Sequence, residues 1–314
     1  MNIVFAEPLG MSECILNKQV EHLKKQGHSI TFYSTRNEHE DVMIERAKDA
    51  EILVISNIPL KKNFFDACPK LKMISVAFTG VDHIDLNCCK ERGITICNAA
   101  GYSTQAVAEL SIGMMLALYR NIVHCDHMTR SGQDRQGFLG SELHGKTIGI
   151  IGLGAIGQRV AQLATAFGCN ILAYNRSKKN IASVTQVDKE QLLSQSDIIT
   201  LHLPLTADTK HFIDEHDFQL MQPHAILINT ARGPVVNPQA LYNALNKGQI
   251  AGAAIDVYDQ EPPLPPQFEL FNAPNLLMLP HIGYATQEAF GIRLDIVIQN
   301  INLWLAGTPQ NQIL

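Results

Sequence analysis

Residues 147–166 read TIGIIGLGAIGQRVAQLATA, so that an apolar, β-rich run turns through Gly152-x-Gly154-x-x-Gly157 into a segment of helical period. Few features narrow a fold as far, because each glycine in such a turn has a mechanical task. The first permits the tight change of direction, the second lets backbone N–H groups approach a pyrophosphate, and the third brings helix and strand close together. A glycine-rich stretch means little without a strand before it and a helix after it, and here both are present. The turn predicts a parallel α/β unit with a dinucleotide held at Gly152, Gly154, Ala155, Ile156 and Gly157.

The signature begins near the middle of the chain, and the segments on either side explain why. Four short apolar runs, NIVFA, SITFYS, EILVIS and KMISVAF, come first, with polar amphipathic stretches between them. After a long apolar segment from Thr104 to Tyr119 and a polar, glycine-containing stretch from Met128 to Lys146, the alternation restarts. It continues through NILAY, DIITLHLP, AILINTA, AGAAIDVY and NLLMLP. Strands that alternate with helical segments in this way build parallel sheets with helices on their faces. At 314 residues the chain exceeds the usual size of a single core, about 250–300 residues, and two such units are expected. Asn237 followed by Pro238 opens one helix and Gly248 closes it. The last stretch, from about Thr286, has helical spacing through Ile292, Ile296, Ile298 and Trp304.

Composition bounds the partners. Apolar residues make up 46% of the chain and charged residues 18%, enough for a core. A formal net charge of −5 gives no support for a polyanion-binding surface, so nucleic acid is not an expected partner. Seven cysteines include no CxxC pair, and the adjacent Cys88 and Cys89 are poorly placed for an ordinary disulfide. A reducing, cytoplasmic setting follows as the expectation. The N-terminal MNIVFAEPLG lacks the pattern of a leader, and IGMMLALY is too short to cross a bilayer, so no membrane partner is expected either. No metal-ligand spacing stands out.

Ligands of open α/β sheets bind beyond the carboxyl ends of the strands. The residues expected there are Thr206 after HLPL, Thr230 and Arg232 after AILIN, Asp256 after AGAAI, and His281 after NLLMLP. Arg232, Glu261 and His281 together supply what reduction of a 2-keto acid requires. An arginine fork matches a carboxylate and polarises the neighbouring carbonyl. A protonated histidine donates to the developing alkoxide while a nicotinamide delivers hydride. A carboxylate beside that histidine favours its charged form.

The chain resembles the D-isomer-specific 2-hydroxyacid dehydrogenase family over nearly its full length. The stretches that carry the resemblance are GVDHIDL, NAAGYSTQAVAEL, GKTIGIIGLGAIGQRVA, LHLPLTADTKHFI, INTARGPVV, AIDVYDQEP and PHIGYAT. It implies a Rossmann cofactor domain, residues 101–285, inserted into a flavodoxin-like substrate domain formed by residues 1–100 and 286–314. By the same resemblance Arg232, Glu261 and His281 are catalytic, and Thr79 and Gly80 bind the substrate carboxylate together with Arg232. Thr104, Pro204, Thr206, Thr230, Ala231, Asp256 and Gly283 are implied cofactor contacts. The implied reaction is reduction of a small 2-keto acid such as glyoxylate, hydroxypyruvate or pyruvate by a homodimer, with Phe78 and Tyr102 as residues on which side-chain selectivity depends. A short-form D-3-phosphoglycerate dehydrogenase is the alternative within the family, since the chain ends at Leu314 without the regulatory domains of longer forms. A non-catalytic, corepressor-like dinucleotide sensor is the alternative outside it.

One departure bears on the cofactor. Members that prefer NAD commonly carry Asp at the end of the second strand of the cofactor domain, where it binds the adenosine ribose. Here that strand runs into Asn175 and Arg176, with Lys178 and Lys179 beyond, and no acidic residue stands between Gln158 and Val187. A 2′-phosphate is repelled by Asp and attracted by Arg, which favours NADP(H) over NAD(H). The alternative is a solvated basic loop with Asn175 bonded to the ribose of NAD.

Overall fold

The computed structural model describes residues 1–135 and 137–314, and Gln136, within the polar stretch before the glycine-rich strand, lies outside the described residues. The chain divides into two compact units. One comprises Met1–Ser103 with Thr286–Leu314, and the other is the continuous segment Thr104–Ala285.

Five strands form the sheet of the first unit: β1 (Asn2–Phe5), β2 (Ser29–Phe32), β3 (Ile52–Ile55), β4 (Met73–Val76) and β5 (Thr95–Asn98). They lie parallel in the order β2-β1-β3-β4-β5, the flavodoxin-like arrangement. Strands β3 and β4 are buried at every residue, as central parallel strands covered on both faces must be. The C-terminal helix Gln287–Leu305 closes this unit, with the Thr286 side chain accepting from Ala289 N at its start. Of the residues in the apolar spacing, Ile298 is buried and Trp304 packs on the core, but Ile292 faces outward. Leu294, Val297, Ile298 and Ile301 are buried, whereas Ile292 is 49% exposed. The spacing from Leu294 through Val297 and Ile298 to Ile301 is the true i, i+3, i+4, i+7 stripe.

The second unit has seven parallel strands. They are β6 (Thr147–Ile151), β7 (Asn170–Tyr174), β8 (Val184–Gln186), β9 (Ile198–Leu201), β10 (Ile226–Asn229), β11 (Gly252–Ile255) and β12 (Leu276–Met278). Their order is β12-β11-β10-β9-β6-β7-β8, so the sheet reverses direction beside β6, and the glycine turn leaves β6 at that switch point. Alternate residues divide between two cores: Ile151, Leu201, Leu227 and Ile255 point into one, while Ile150, Ile198, Ile228 and Ala254 point into the other. Strand β8 escapes the apolar pattern because it has three residues, VTQ, none of them fully buried. Asn237 caps the helix Pro238–Asn246 through Ala240 N, and Gly248 follows it with φ +64°. Among the described residues no single helix is long and apolar enough to cross a membrane.

At the end of β9, His202 shares a hydrogen bond of 3.0 Å with Thr200 Oγ1, and its buried Nδ1 has no hydrogen-bond partner among the described residues. Burial pushes this ring down to about 3 from 6.5. The unfolded chain therefore takes up a proton on His202 as pH falls below about 6.5, and the folded protein does not until about 3. The contribution to stability is full above that window and is lost through it. His202→Gln should flatten the loss of stability on acidification, measured as the shift in urea midpoint between neutral and mildly acidic buffer. An unchanged shift would remove His202 as its source.

Candidate active site

The turn after β6 has the geometry that its sequence requires. Gly152 has φ +98°, a left-handed conformation that side chains rarely adopt. Gly154 is the N-cap of the helix Ala155–Ala166, and a Cβ placed on it would meet nothing within 4 Å. That open space in front of unpaired helix amides fits a pyrophosphate. Gly157 is closed instead, since a Cβ there would collide with the Gly152 carbonyl. The turn is braced from β7: Asn175 Oδ1 accepts from Leu153 N at 2.9 Å, and its Nδ2 donates to Ser177 O at 2.8 Å. Both polar atoms of Asn175, expected at the ribose, thus hold the glycine turn and the loop behind it. Arg176, Lys178 and Lys179 are exposed, and Arg176 makes no hydrogen bond or ion pair among the described residues.

The other expected residues of this unit gather at the carboxyl ends of the same sheet. After β10, Asn229 closes the loop TAR on itself: Oδ1 accepts from Ala231 N and Nδ2 donates to Arg232 O, both at 3.0 Å. The Arg232 guanidinium donates to Ala231 O at 2.8 Å, and Thr230 Oγ1 lies 3.0 Å from Ser111 Oγ on the helix Thr104–Tyr119. Thr104 is the first residue of that helix. After β9, Pro204 and Thr206 sit in an exposed turn tied together by the Thr209 hydroxyl.

His281 follows β12 with φ +57°, an uncommon conformation for a non-glycine residue and one characteristic of functional sites. Asp256, at the end of β11, maintains it. Its two carboxylate oxygens accept from Ile282 N at 2.8 Å and from Gly283 N at 2.7 Å, and Asp256 is 1% exposed. Burial pushes this carboxyl above its usual range, against the two amides and His281, which pull it down. Asp256 and Gly283, expected at the cofactor, are thus bonded to each other. Tyr258 adds a hydrogen bond from its hydroxyl to Leu279 O at 2.7 Å. The His281 ring is 17% exposed, with Nδ1 2.9 Å from Glu261 Oε1. Tyr284 packs its ring edge-on at 5.4 Å between centroids. Nε2 lies on the opposite edge of the imidazole from Glu261. The arrangement is that of a proton donor oriented by a carboxylate.

In the first unit, Thr79 and Gly80 follow β4, and Asn98 Nδ2 donates to Thr79 O at 2.7 Å. Phe78 and Tyr102 are 7% and 3% exposed and pack on each other with centroids 6.3 Å apart.

Asn229, Tyr258 and Tyr284 escaped the reading of the sequence. Asn229 had a signal, an Asn at a strand end two residues before an amide it can bond. Tyr258 had none, because Leu279 lies just past a separate strand, whereas Tyr284 stands only three residues after the histidine it packs against.

A family profile described as "D-isomer specific 2-hydroxyacid dehydrogenase, NAD binding domain" matches residues 112–283. A glyoxylate reductase of Thermococcus litoralis is 40% identical over 286 residues, covering 87% of this chain and 86% of that protein. A glycerate dehydrogenase of Methylorubrum extorquens is 39% identical, covering 86% and 88%. Among solved structures, an acyclic imino acid reductase in complex with NADPH and D-Arg superposes with a TM-score of 0.90 at 34% identity, covering both chains fully. The chain belongs to the D-isomer specific 2-hydroxyacid dehydrogenase family. Its activity is that of an oxidoreductase on 2-hydroxy acids and the corresponding small keto acids, with a nicotinamide cofactor.

Gly157→Ala tests the turn. The added Cβ can be accommodated only by moving the Gly152 carbonyl, so the dissociation constant for reduced cofactor should rise by about tenfold or more. Titration of nicotinamide fluorescence measures it, and unchanged affinity would place the cofactor elsewhere.

Proposed function

We propose that the protein reduces a small 2-keto acid of the glyoxylate, hydroxypyruvate or pyruvate type, with NADPH as the preferred reductant. The observation that carries the reading is the 2.9 Å contact between His281 Nδ1 and Glu261 Oε1. It orients an otherwise unusual histidine at the carboxyl ends of the sheet that bears the glycine turn. In this reading the segment Thr104–Ala285 holds the cofactor and the remainder of the chain holds the substrate.

The nicotinamide supplies hydride to the substrate carbonyl when bound. His281 donates the proton to the carbonyl oxygen from Nε2, and Glu261 keeps the ring turned for that donation. Arg232 grips the carboxylate with its fork and draws electron density from the adjacent carbonyl. In the first unit, Thr79 and Gly80 are the residues assigned to the substrate carboxylate. Arg232 and Thr230 are held for their roles by Asn229 and Ser111. Gly154 and the amides of Ala155, Ile156 and Gly157 take the pyrophosphate. Thr104, Pro204, Thr206, Ala231 and Gly283 line the rest of the cofactor.

NADPH is favoured because the end of β7 carries no carboxylate and Asn175 is already committed to Leu153 and Ser177. Arg176 stands exposed beyond it, available to a 2′-phosphate. The reading includes a homodimer, supported by Ile122, Val123 and Leu139, apolar residues 52%, 50% and 86% exposed. Seven free thiols support a cytoplasmic setting.

Two measurements test the proposal. In a screen of small 2-keto acids followed by loss of reduced-nicotinamide absorbance, kcat/KM should be higher with NADPH than with NADH. Asn175→Asp with Arg176→Ala should reverse that order, since the introduced carboxylate could still accept from Leu153 N, gives up the bond to Ser177 O, and repels a phosphate. Each tenfold change in the ratio corresponds to about 1.4 kcal/mol of differential binding. An NADH preference in the unaltered protein would sink the NADPH assignment.

His281→Asn should lower kcat by about 10²–10⁴-fold while cofactor affinity stays near that of the parent. Near-normal turnover would take His281 out of the proton transfer.

A further inference from the structure

Beside the loops that carry Arg232 and Glu261 lies a cavity of about 280 Å³ whose lining includes none of the residues assigned to the reaction. Its floor is apolar, formed by Val236, Leu241, Ile255 and Leu270, with Phe268 as one wall. Its polar lining includes Asp259, Gln260 and Glu269, and none of these side chains makes a hydrogen bond or ion pair among the described residues. Partial burial pushes the Asp259 carboxyl above its usual range, against Lys210 and His211, which lie near enough to pull it down. Neither is ion-paired with it.

An apolar chamber edged by unpartnered carboxylates selects its occupant by chemistry. A 2-keto or 2-hydroxy acid is disfavoured, since its carboxylate would face Asp259 and Glu269. A cation with an apolar body fits both parts of the surface. Charge-assisted hydrogen bonds satisfy the carboxylates, and the floor takes the hydrocarbon.

The same walls are continuous with the catalytic loops. Gly233, in the lining, follows Arg232 directly and is packed so closely on the backbone of Tyr258 and Asp259 that a Cβ there would collide with it. Asp259 and Gln260 immediately precede Glu261. Tyr258, also in the lining, sends its hydroxyl to Leu279 O, two residues before His281. An occupant pressing on Tyr258 or Gly233 therefore bears on the supports of all three residues. We propose that this cavity is an effector site for a small amphipathic amine, an alkyl- or arylammonium, whose binding alters turnover through these loops. The effect on turnover rests on the roles assigned to Arg232, Glu261 and His281, and the binding does not.

Calorimetry with 2-phenylethylammonium as the probe tests the site on the intact protein near neutral pH, independently of catalysis. One saturable site is expected. Asp259→Asn with Glu269→Gln should weaken binding by about tenfold or more. The anionic analogue 3-phenylpropionate should give no saturable heat. Leu241→Phe, which fills the floor, should abolish binding, and should it fail to fold, the doubly neutral rim variant carries the test alone. Absence of saturable amine binding, equal binding of the anion, or affinity that survives the neutral rim would overturn the site. Saturating amine should change kcat/KM for keto acid by about twofold or more in the parent and not in the rim variant. Binding with no change in rate would overturn the effector role and leave the active-site reading intact.

Discussion

Asp256 is the constraint on which the active-site geometry depends. Its carboxylate sits 1% exposed at the end of β11 and takes the amides of Ile282 and Gly283. Those two bonds hold the chain just past His281, at φ +57°, where the left-handed turn would otherwise cost about 1–3 kcal/mol. The imidazole can then meet Glu261 with Nδ1. A carboxylate so deeply buried is itself costly, and two charge-assisted bonds offset part of that cost. The backbone beside His281 is thus held by a residue on a different strand end.

The same division between acting and supporting groups recurs along the sheet edge. Asn229 fixes the loop that presents Arg232, Ser111 meets Thr230, and Asn175 ties the glycine turn to the strand beside it. Each support is a short polar side chain at or near a strand end, or on the helix that packs there. Parallel strands buried on both faces provide the rigid base, and loops at their carboxyl ends carry the chemistry. The cavity under Gly233 and Tyr258 interrupts this close packing beneath those loops.

Much of the architecture was legible in the residues because local and global signals agree. Apolar runs of strand length, the glycine turn and the Asn237-Pro238 helix start are short-range features, and each appears where its residues lie. The helix from Gln287 shows the limit. Its existence and part of its buried face, Ile298 and Trp304, followed from periodicity, but the outward turn of Ile292 did not, because Ile292 is as apolar as Leu294 and only packing distinguishes them. Strand β8 was silent for the opposite reason, being too short and too polar to register.

For the site, the sequence by itself determined which reactive groups are available: the guanidinium, imidazole and carboxylate of Arg232, His281 and Glu261, the glycines of the turn, and the missing acid after β7. These are properties of residue type and short spacing. Only the tertiary structure decided which of them meet one another. Asp256 and Asn175 have the composition of ligand contacts, and the fold also gives them partners in Ile282, Gly283, Leu153 and Ser177. A side chain's chemistry is local, whereas the partner that satisfies it is chosen by where separated strands end in space.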